Sequence, residues 1–367
     1  MTIPFMTLEP REDAPDLRAA IDRVLTRGWF VLGPELDAFE QAFARAAGTT
    51  HAIGVGNGTD ALALTLRALG IGMGDEVITT PLSAAFSALA IMMAGATPVF
   101  ADIDPQRLTI DPRAVEAAVT ARTKAILPVH LYGQPADLPA IEAIAARHGL
   151  ALVEDACQAH LATSGGRPVG SVGLAGAFSF YPTKNLGALG DGGAVVTSDD
   201  ELAARLRRLR NGGQSDRYRH PEFGVNSRLD ELQAAVLRVR LERLPAWTAR
   251  RRELAARYRA GILSGAVRVP PEFDAGHVYH LFPVLVERRE EFMAHLTAHG
   301  IGSLIHYPIP IPRQPGIATP RRDGCPVADR VCAEICSLPL HPHLSDADAD
   351  RVIEAVQAWD PPASRSA

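Results

Sequence analysis

The chain has 367 residues, a formal net charge of -5, 47% apolar residues and 22% charged ones. This is ordinary for a globular enzyme with one large and one smaller domain, and it leaves ample length to bury a core. It excludes a basic nucleic-acid binder, and the lack of an apolar run of about 18 residues excludes a helical membrane span. The start, Met1-Thr-Ile-Pro-Phe5, has no basic segment followed by an apolar one, so it is not read as a signal peptide. Four cysteines do not make a disulfide framework, and a cytoplasmic location is expected.

Residues 14–27 and 35–47 are predicted amphipathic helices, separated by Gly33-Pro34. From His51 onward, short apolar runs alternate with helical patterns. Strands are predicted at 52–55, 76–80, 97–101, 125–129, 151–154, 177–180 and 193–197. Helices are predicted at 59–69, 83–94, near 137–148 and at 201–209. This alternation predicts an α/β fold with a mostly parallel sheet between helices. Residues 229–259 predict a long charged helix with Leu229, Leu232, Val236, Leu237 and Leu241 as its apolar stripe. Beyond it, a strand signal at 279–286 and helices near 289–299 and 346–358 predict a smaller C-terminal α+β domain. The expected division is 1–245 and 246–367, with a disordered tail from Pro361. Cys325, Cys332 and Cys336 lie near His341 and His343 without the paired spacing of a zinc knuckle. Cys332 and Cys336 read as one helical turn apart, as small buried core residues, and no metal is expected.

Two segments carry the chemistry. Lys184 follows the strand-like Ala177-Phe-Ser-Phe180 and precedes the glycine-rich stretch Gly187–Gly193. Upstream, Leu152-Val-Glu-Asp155-Ala-Cys-Gln158-Ala-His160 ends an apolar run on a carboxylate. Alone, Lys184 reads as a surface lysine and Asp155 equally as a helix N-cap. Together they are the pair that pyridoxal phosphate needs: an amine for the Schiff base and a carboxylate to keep the pyridine nitrogen protonated. Gly56-Asn-Gly58-Thr59-Asp60 lies between a strand and a helix start, which suits a phosphate, and a cap made by Thr59 or Asp60 is compatible with that. The turn has neither the Walker A lysine nor the dinucleotide glycine spacing. Gln158 is within reach of the cofactor's phenolic oxygen if the segment turns after Asp155. Ser179 faces away from Phe178 and Phe180, leaving its hydroxyl for a phosphate oxygen.

Matching stretches then cover nearly the whole chain. They include Gly56–Leu62, Ala94–Asp102, Pro128–Gly133, Glu154–His160, Ser179–Gly193 and Asn226–Ala235. On these the chain resembles the DegT-type nucleotide-sugar aminotransferases, a pyridoxal phosphate family with the aspartate aminotransferase fold (fold type I). The resemblance implies that Lys184 is the Schiff-base lysine and proton carrier, with Asp155 on the ring nitrogen and Gln158 beside the phenolic oxygen. It assigns Gly58, Thr59 and Ser179 to the phosphate. It implies that Asn226 reaches the phosphate of a neighbouring subunit, making a homodimer with shared sites. Tyr181, the loop residues Arg217, Tyr218 and His220, and the pair His306-Tyr307 fall to the substrate. The implied reaction moves an amino group from glutamate to a nucleotide-linked ketosugar, and Asn-Gly-Thr-Asp-Ala-Leu favours a 3-ketosugar over a 4-ketosugar. The chain departs from the family where an aromatic usually stacks on the cofactor, since Ala84 stands there. Either Phe86 substitutes or something smaller covers the ring. Cys157 stands where alanine is common. A same-fold sugar dehydratase would carry histidine in place of Lys184. A cofactor-binding regulator without turnover is the rival from another class. A Rossmann-type sugar oxidoreductase is argued against by the missing glycine fingerprint.

Overall fold

The computed structural model describes residues 2–317, 319 and 324–361. The expected disorder of the tail concerns residues 362–367, which lie outside the described residues. The alternating apolar runs become β1 (His51–Val55), β2 (Glu76–Thr79), β3 (Thr97–Phe100), β4 (Thr123–Leu127) and β5 (Ala151–Asp155). A two-strand ribbon follows, β6 (Thr163–Ser164) and β7 (Arg167–Pro168), then β8 (Ala175–Ser179) and β9 (Gly193–Thr197). Seven of these form one sheet in the order β1-β9-β8-β5-β4-β2-β3. Every pair is parallel except those of β9, which is antiparallel to both β8 and β1. The physical reason lies in the connection. No helix separates β8 from β9, so the chain turns back along its own strand. Lys184 sits on that return.

Helices cover both faces: α1 (Ala14–Arg27), α2 (Pro34–Ala46), α3 (Gly58–Ala68), α4 (Phe86–Met93), α5 (Pro112–Ala118), α6 (Leu138–His148) and α7 (Asp200–Leu209). The predicted stripe on α3 packs as expected, with Leu62 and Leu66 buried against Val55, Val77 and Val153. On the other face, Phe39 and Phe43 of α2 meet Phe178 and Phe180 edge-on at 5.0–5.3 Å. Helix α8 (Glu231–Gly261) is 31 residues long and runs unbroken past residue 245, with Pro245 inside it. Its first half packs on the large-sheet core through Ala234, Leu237 and Leu244. Its second half packs through Leu254, Ala255 and Tyr258 on a separate core around β10 (Phe282–Leu285) and β11 (Ile335–Leu338), with α9 (Arg289–Ala298), α10 (Pro326–Glu334) and α11 (Asp346–Gln357) arranged along the same stretch of chain.

Three local readings are corrected. Helix α4 begins at Phe86 rather than residue 83, because Thr80–Ala85 is held as a turn: Leu82 N donates to Thr80 Oγ1 and Ile311 N to the Pro81 carbonyl. Helix α5, only seven residues long and capped by Asp111, was too short to show a period. Cys332 and Cys336 do not share a helix. The helical run stops at Glu334, and Cys336 lies on β11 opposite Val284. Both thiols are buried all the same.

One long-range tether orders the N-terminal helices. Glu231 is fully buried, and its carboxylate accepts from Gly33 N, Glu35 N and Leu36 N at 3.0, 2.9 and 2.8 Å. The first turn of α2 thus takes its cap from a residue about two hundred positions away. Glu231→Ala should strand these three donors and cost about 3 kcal/mol or more, while Glu231→Gln keeps an acceptor and should cost less. Urea midpoints of the two variants check the order.

Candidate active site

Asp155 ends β5, is 5% exposed, and accepts from Ser87 Oγ at 2.7 Å and Cys157 N at 3.1 Å. No α-helix starts after it, so the alternative of a helix cap is not realised. Across the β8–β9 return, the Lys184 segment is folded tightly. Lys184 N donates to the Tyr181 carbonyl at 2.8 Å and Ala188 N to the Phe180 carbonyl at 2.8 Å. A Cβ on Gly187 would meet the Pro182 carbonyl at 2.5 Å, so glycine is required there. The next residue is also fixed: Asn185 Nδ2 donates to the Val278 carbonyl at 3.0 Å and its Oδ1 faces His280 Nδ1 at 3.2 Å. Burial lowers the pKa of the Lys184 ammonium from 10.5, with Cys157 and Asp155 opposing that shift. The same cation, together with burial, pulls His306 to about 4 and His160 to about 3.

The third part is a cradle. Helix α3 opens at Gly58, and its cap is Asn57, whose Oδ1 accepts from Asp60 N at 2.8 Å, rather than Thr59 or Asp60. A Cβ on Gly58 would meet Cys157 Sγ at 2.8 Å and Ser179 Cβ at 2.9 Å. The open end of α3, Ser179 and Cys157 therefore converge, with Phe178 and Phe180 in the core as expected. Burial, with Asp155 beside it, pushes the Cys157 thiol well above its usual range, so the sulfur is a neutral filler.

Gln158 and Tyr307 are brought together. Gln158 Nε2 donates to Tyr307 Oη at 3.0 Å, and Gln158 Oε1 accepts from Tyr132 N at 2.8 Å. Tyr132 Oη donates to the His306 carbonyl, and His306 Nδ1 lies 3.0 Å from Ser337 Oγ. Tyr132 holds φ 60°, uncommon for a bulky residue and typical of a functional turn. Burial pushes Tyr307 up to about 12, so it stays a neutral phenol. Other expected residues stand apart within the single chain. Tyr181 is 52% exposed at the mouth, Asn226 is exposed and bridged to Asn211, and Arg217, Tyr218 and His220 lie on an exposed loop. Phe86 is 61% exposed, next to Ser87. Reasoning from sequence missed Ser87, Tyr132, Asn185 and His280. Asn185 and Tyr132 lay inside the quoted stretches and His280 inside a predicted strand, while Ser87 gave no signal.

These donors fit pyridoxal phosphate. Asp155 is the buried carboxylate for a ring nitrogen, Lys184 the desolvated amine, and the α3 N-terminus with Ser179 the anion cradle that a Cβ on Gly58 would fill. Among the described residues no cluster of His, Cys, Asp or Glu is arranged to hold a metal, and no helix is long and apolar enough to cross a membrane. A sheet of this order with a lysine on the reversed return defines a fold type I pyridoxal phosphate-dependent aminotransferase. The chain belongs to the DegT/DnrJ/EryC1/StrS aminotransferase family, whose profile matches residues 11–357. It is 50% identical over 363 residues to the dTDP-3-amino-3,4,6-trideoxy-alpha-D-glucose transaminase of Streptomyces venezuelae, covering 97% of this chain and 96% of that one. It is 48% identical over 364 residues to the erythromycin biosynthesis sensory transduction protein EryC1 of Saccharopolyspora erythraea, covering 98% and 100%. The crystal structure of S. venezuelae DesV in complex with a ketimine intermediate superposes with a TM-score of 0.94 at 49% identity, covering 98% of each chain.

The lowered Lys184 pKa has a stability consequence. In the window below 10.5 the unfolded chain binds more protons at this residue than the folded one, so folding stability rises with pH there. Lys184→Met should stabilise the cofactor-free protein at neutral pH, and its advantage over the parent should shrink as pH climbs toward 10.5. Denaturant titrations of both proteins between neutral pH and that limit test it.

Proposed function

We propose that this chain transaminates a nucleotide-linked 3-ketosugar with glutamate as amino donor, acting as a cytoplasmic homodimer of two-domain subunits divided near 245–246. The observation that carries the reading is the convergence of Lys184, Asp155 and the Gly58–Ser179 cradle. The C3 preference is supported by the 3-amino product in the name of the S. venezuelae relative. When bound, pyridoxal phosphate supplies an aldehyde to take up the amino group and a ring that withdraws electrons from the reacting carbon. The chain's own residues do the rest. Asp155 keeps a negative charge against the ring nitrogen, held in place by Ser87 and the Cys157 amide. Thr59, Ser179 and the first turn of α3 hold the phosphate. Lys184 Nζ takes and returns the substrate-carbon proton, and its lowered pKa leaves a neutral base available closer to working pH. Gln158 and Tyr307 line the side of the phenolic oxygen.

In the homodimer, Asn226 serves the partner's phosphate, and Arg217, Tyr218 and His220 serve its nucleotide diphosphate. Tyr181, His306 and Tyr307 contact the sugar. Their exposure in the single chain suits groups that wait for a second subunit. The runner-up is a regulator that binds the cofactor without turnover, favoured by the name of the EryC1 relative. Lys184 weighs against it, since sensing needs no proton carrier.

Lys184→Ala should lower turnover of glutamate and a dTDP-3-ketosugar by on the order of a thousandfold or more. Asp155→Asn should lower it by a smaller but large factor. NMR of the aminated product should place the new nitrogen at C3, and nitrogen at C4 would reassign the substrate. Loss of cofactor colour on adding glutamate, with no aminosugar formed from any ketosugar, would favour the regulator.

A further inference from the structure

Beside the Lys184 loop lies a cavity of about 260 Å³, bounded by the N-terminal segment, α8 and the stretch after β11. Its walls include Thr7, Lys184, Arg240, Trp247, Arg251 and His341, whereas Asp155, Gln158 and Ser179 do not line it. Arg251 is 5% exposed, and its Nη1 donates to the carbonyls of Tyr279, His280 and Leu340 at 3.1, 3.4 and 2.8 Å. Among the described residues no carboxylate pairs with it, and its Nε and Nη2 donate to nothing. Those two atoms form the side-on fork that matches a carboxylate. Burial pulls the Arg251 pKa down to about 10, which still leaves a full charge at neutral pH. A buried guanidinium without an anion is costly.

His341 repeats the pattern. It is 4% exposed, and neither ring nitrogen has a partner. Burial, with Arg251 and His343 nearby, pulls it to about 4, so it is a neutral imidazole with one N–H to give. The Thr7 hydroxyl is likewise buried and unpartnered. The other charges of the lining do not satisfy Arg251. Asp13 is taken by Arg240 Nε at 2.9 Å, Glu9 is exposed, and His343 lies 3.6 Å from Glu12. The unmet demand in this cavity is for one anion with two acceptor oxygens.

We propose that this cavity is the carboxylate subsite of the amino donor, in which Arg251 and His341 hold a carboxylate of an α-amino acid beside Lys184. The proposal rests on the aminotransferase reading above and adds the residues that choose the donor. Size supports it. The volume lies below the range of about 300–1,000 Å³ typical of larger organic ligands, so it admits a small amino acid and not a nucleotide sugar. The two substrates of the reaction would then be recognised by different walls around one lysine.

The test uses the holoenzyme and glutarate, a dicarboxylate with no amino group to react. Calorimetric titration should show glutarate binding to the parent, with inorganic phosphate competing poorly. His341→Leu, which has no hydrogen bond to lose, should weaken glutarate about tenfold, and Arg251→Gln should weaken it at least as much. In single-turnover experiments both variants should raise the glutamate concentration needed for half-maximal conversion by a similar factor. The half-reaction of the aminated cofactor with ketosugar should be unchanged in His341→Leu. Unaltered glutarate affinity in His341→Leu, or equal competition by phosphate, overturns the subsite. If the glutamate half-reaction shifts as expected but no ketosugar is ever aminated, the subsite stands and the sugar reading fails.

Discussion

Holding an amine out of water next to a buried carboxylate is the constraint that the rest of this molecule answers to. Neither Lys184 nor Asp155 is stabilised by its own surroundings as an isolated charge, and burial pushes the lysine toward its neutral form. The fold offsets that cost by fixing everything around the amine. The loop is pinned from within by the Phe180 and Tyr181 carbonyls, from the small-sheet side by Asn185 with Val278 and His280, and from α8 by Arg240 Nη1 on the Gly187 carbonyl at 2.7 Å. Arg240 is itself neutralised by Asp13, just ahead of α1. The N-terminal helix, the long helix and the reactive loop are thus joined through one buried ion pair.

The reactive residues were legible in the sequence because each sits where a strand or helix ends. Lys184 and Asp155 follow apolar runs, Gly58 opens a helix, and Ser179 alternates with two phenylalanines, so local pattern alone located them. What was illegible depends on pairs far apart in the chain. Ser87 reaches Asp155 across 68 positions and His280 reaches Asn185 across 95, and no local period marks either. The cap of α3 went to Asn57 because the carboxylate of Asp60 is drawn instead to Ser227 Oγ at 2.6 Å, a contact invisible to a local reading. The join of α10 and β11 was missed because a run of buried residues serves a helix and a strand equally well.

Two relatives of nearly equal similarity carry names from different classes, a transaminase and a sensory protein. Overall likeness therefore says little about turnover, and the argument for chemistry rests on particular atoms. A sensor needs the cradle and the carboxylate. Only a catalyst needs a desolvated amine whose neighbours hold it this firmly. Cys157, set between Gly58 and Ser179, fits the same economy, as a slightly larger filler where the family commonly has alanine, inert because its thiol is kept from ionising.

The long helix α8 has a mechanical meaning. At 31 residues it is about 46 Å long at the usual helical rise, and both cores are built onto it. Neither sheet can tilt against the other without bending this rod. Its softest point is Pro245, where the ring removes one rung of backbone hydrogen bonding. Any opening or closing of the cleft is channelled into flexure at that single position, a hinge placed inside a strut.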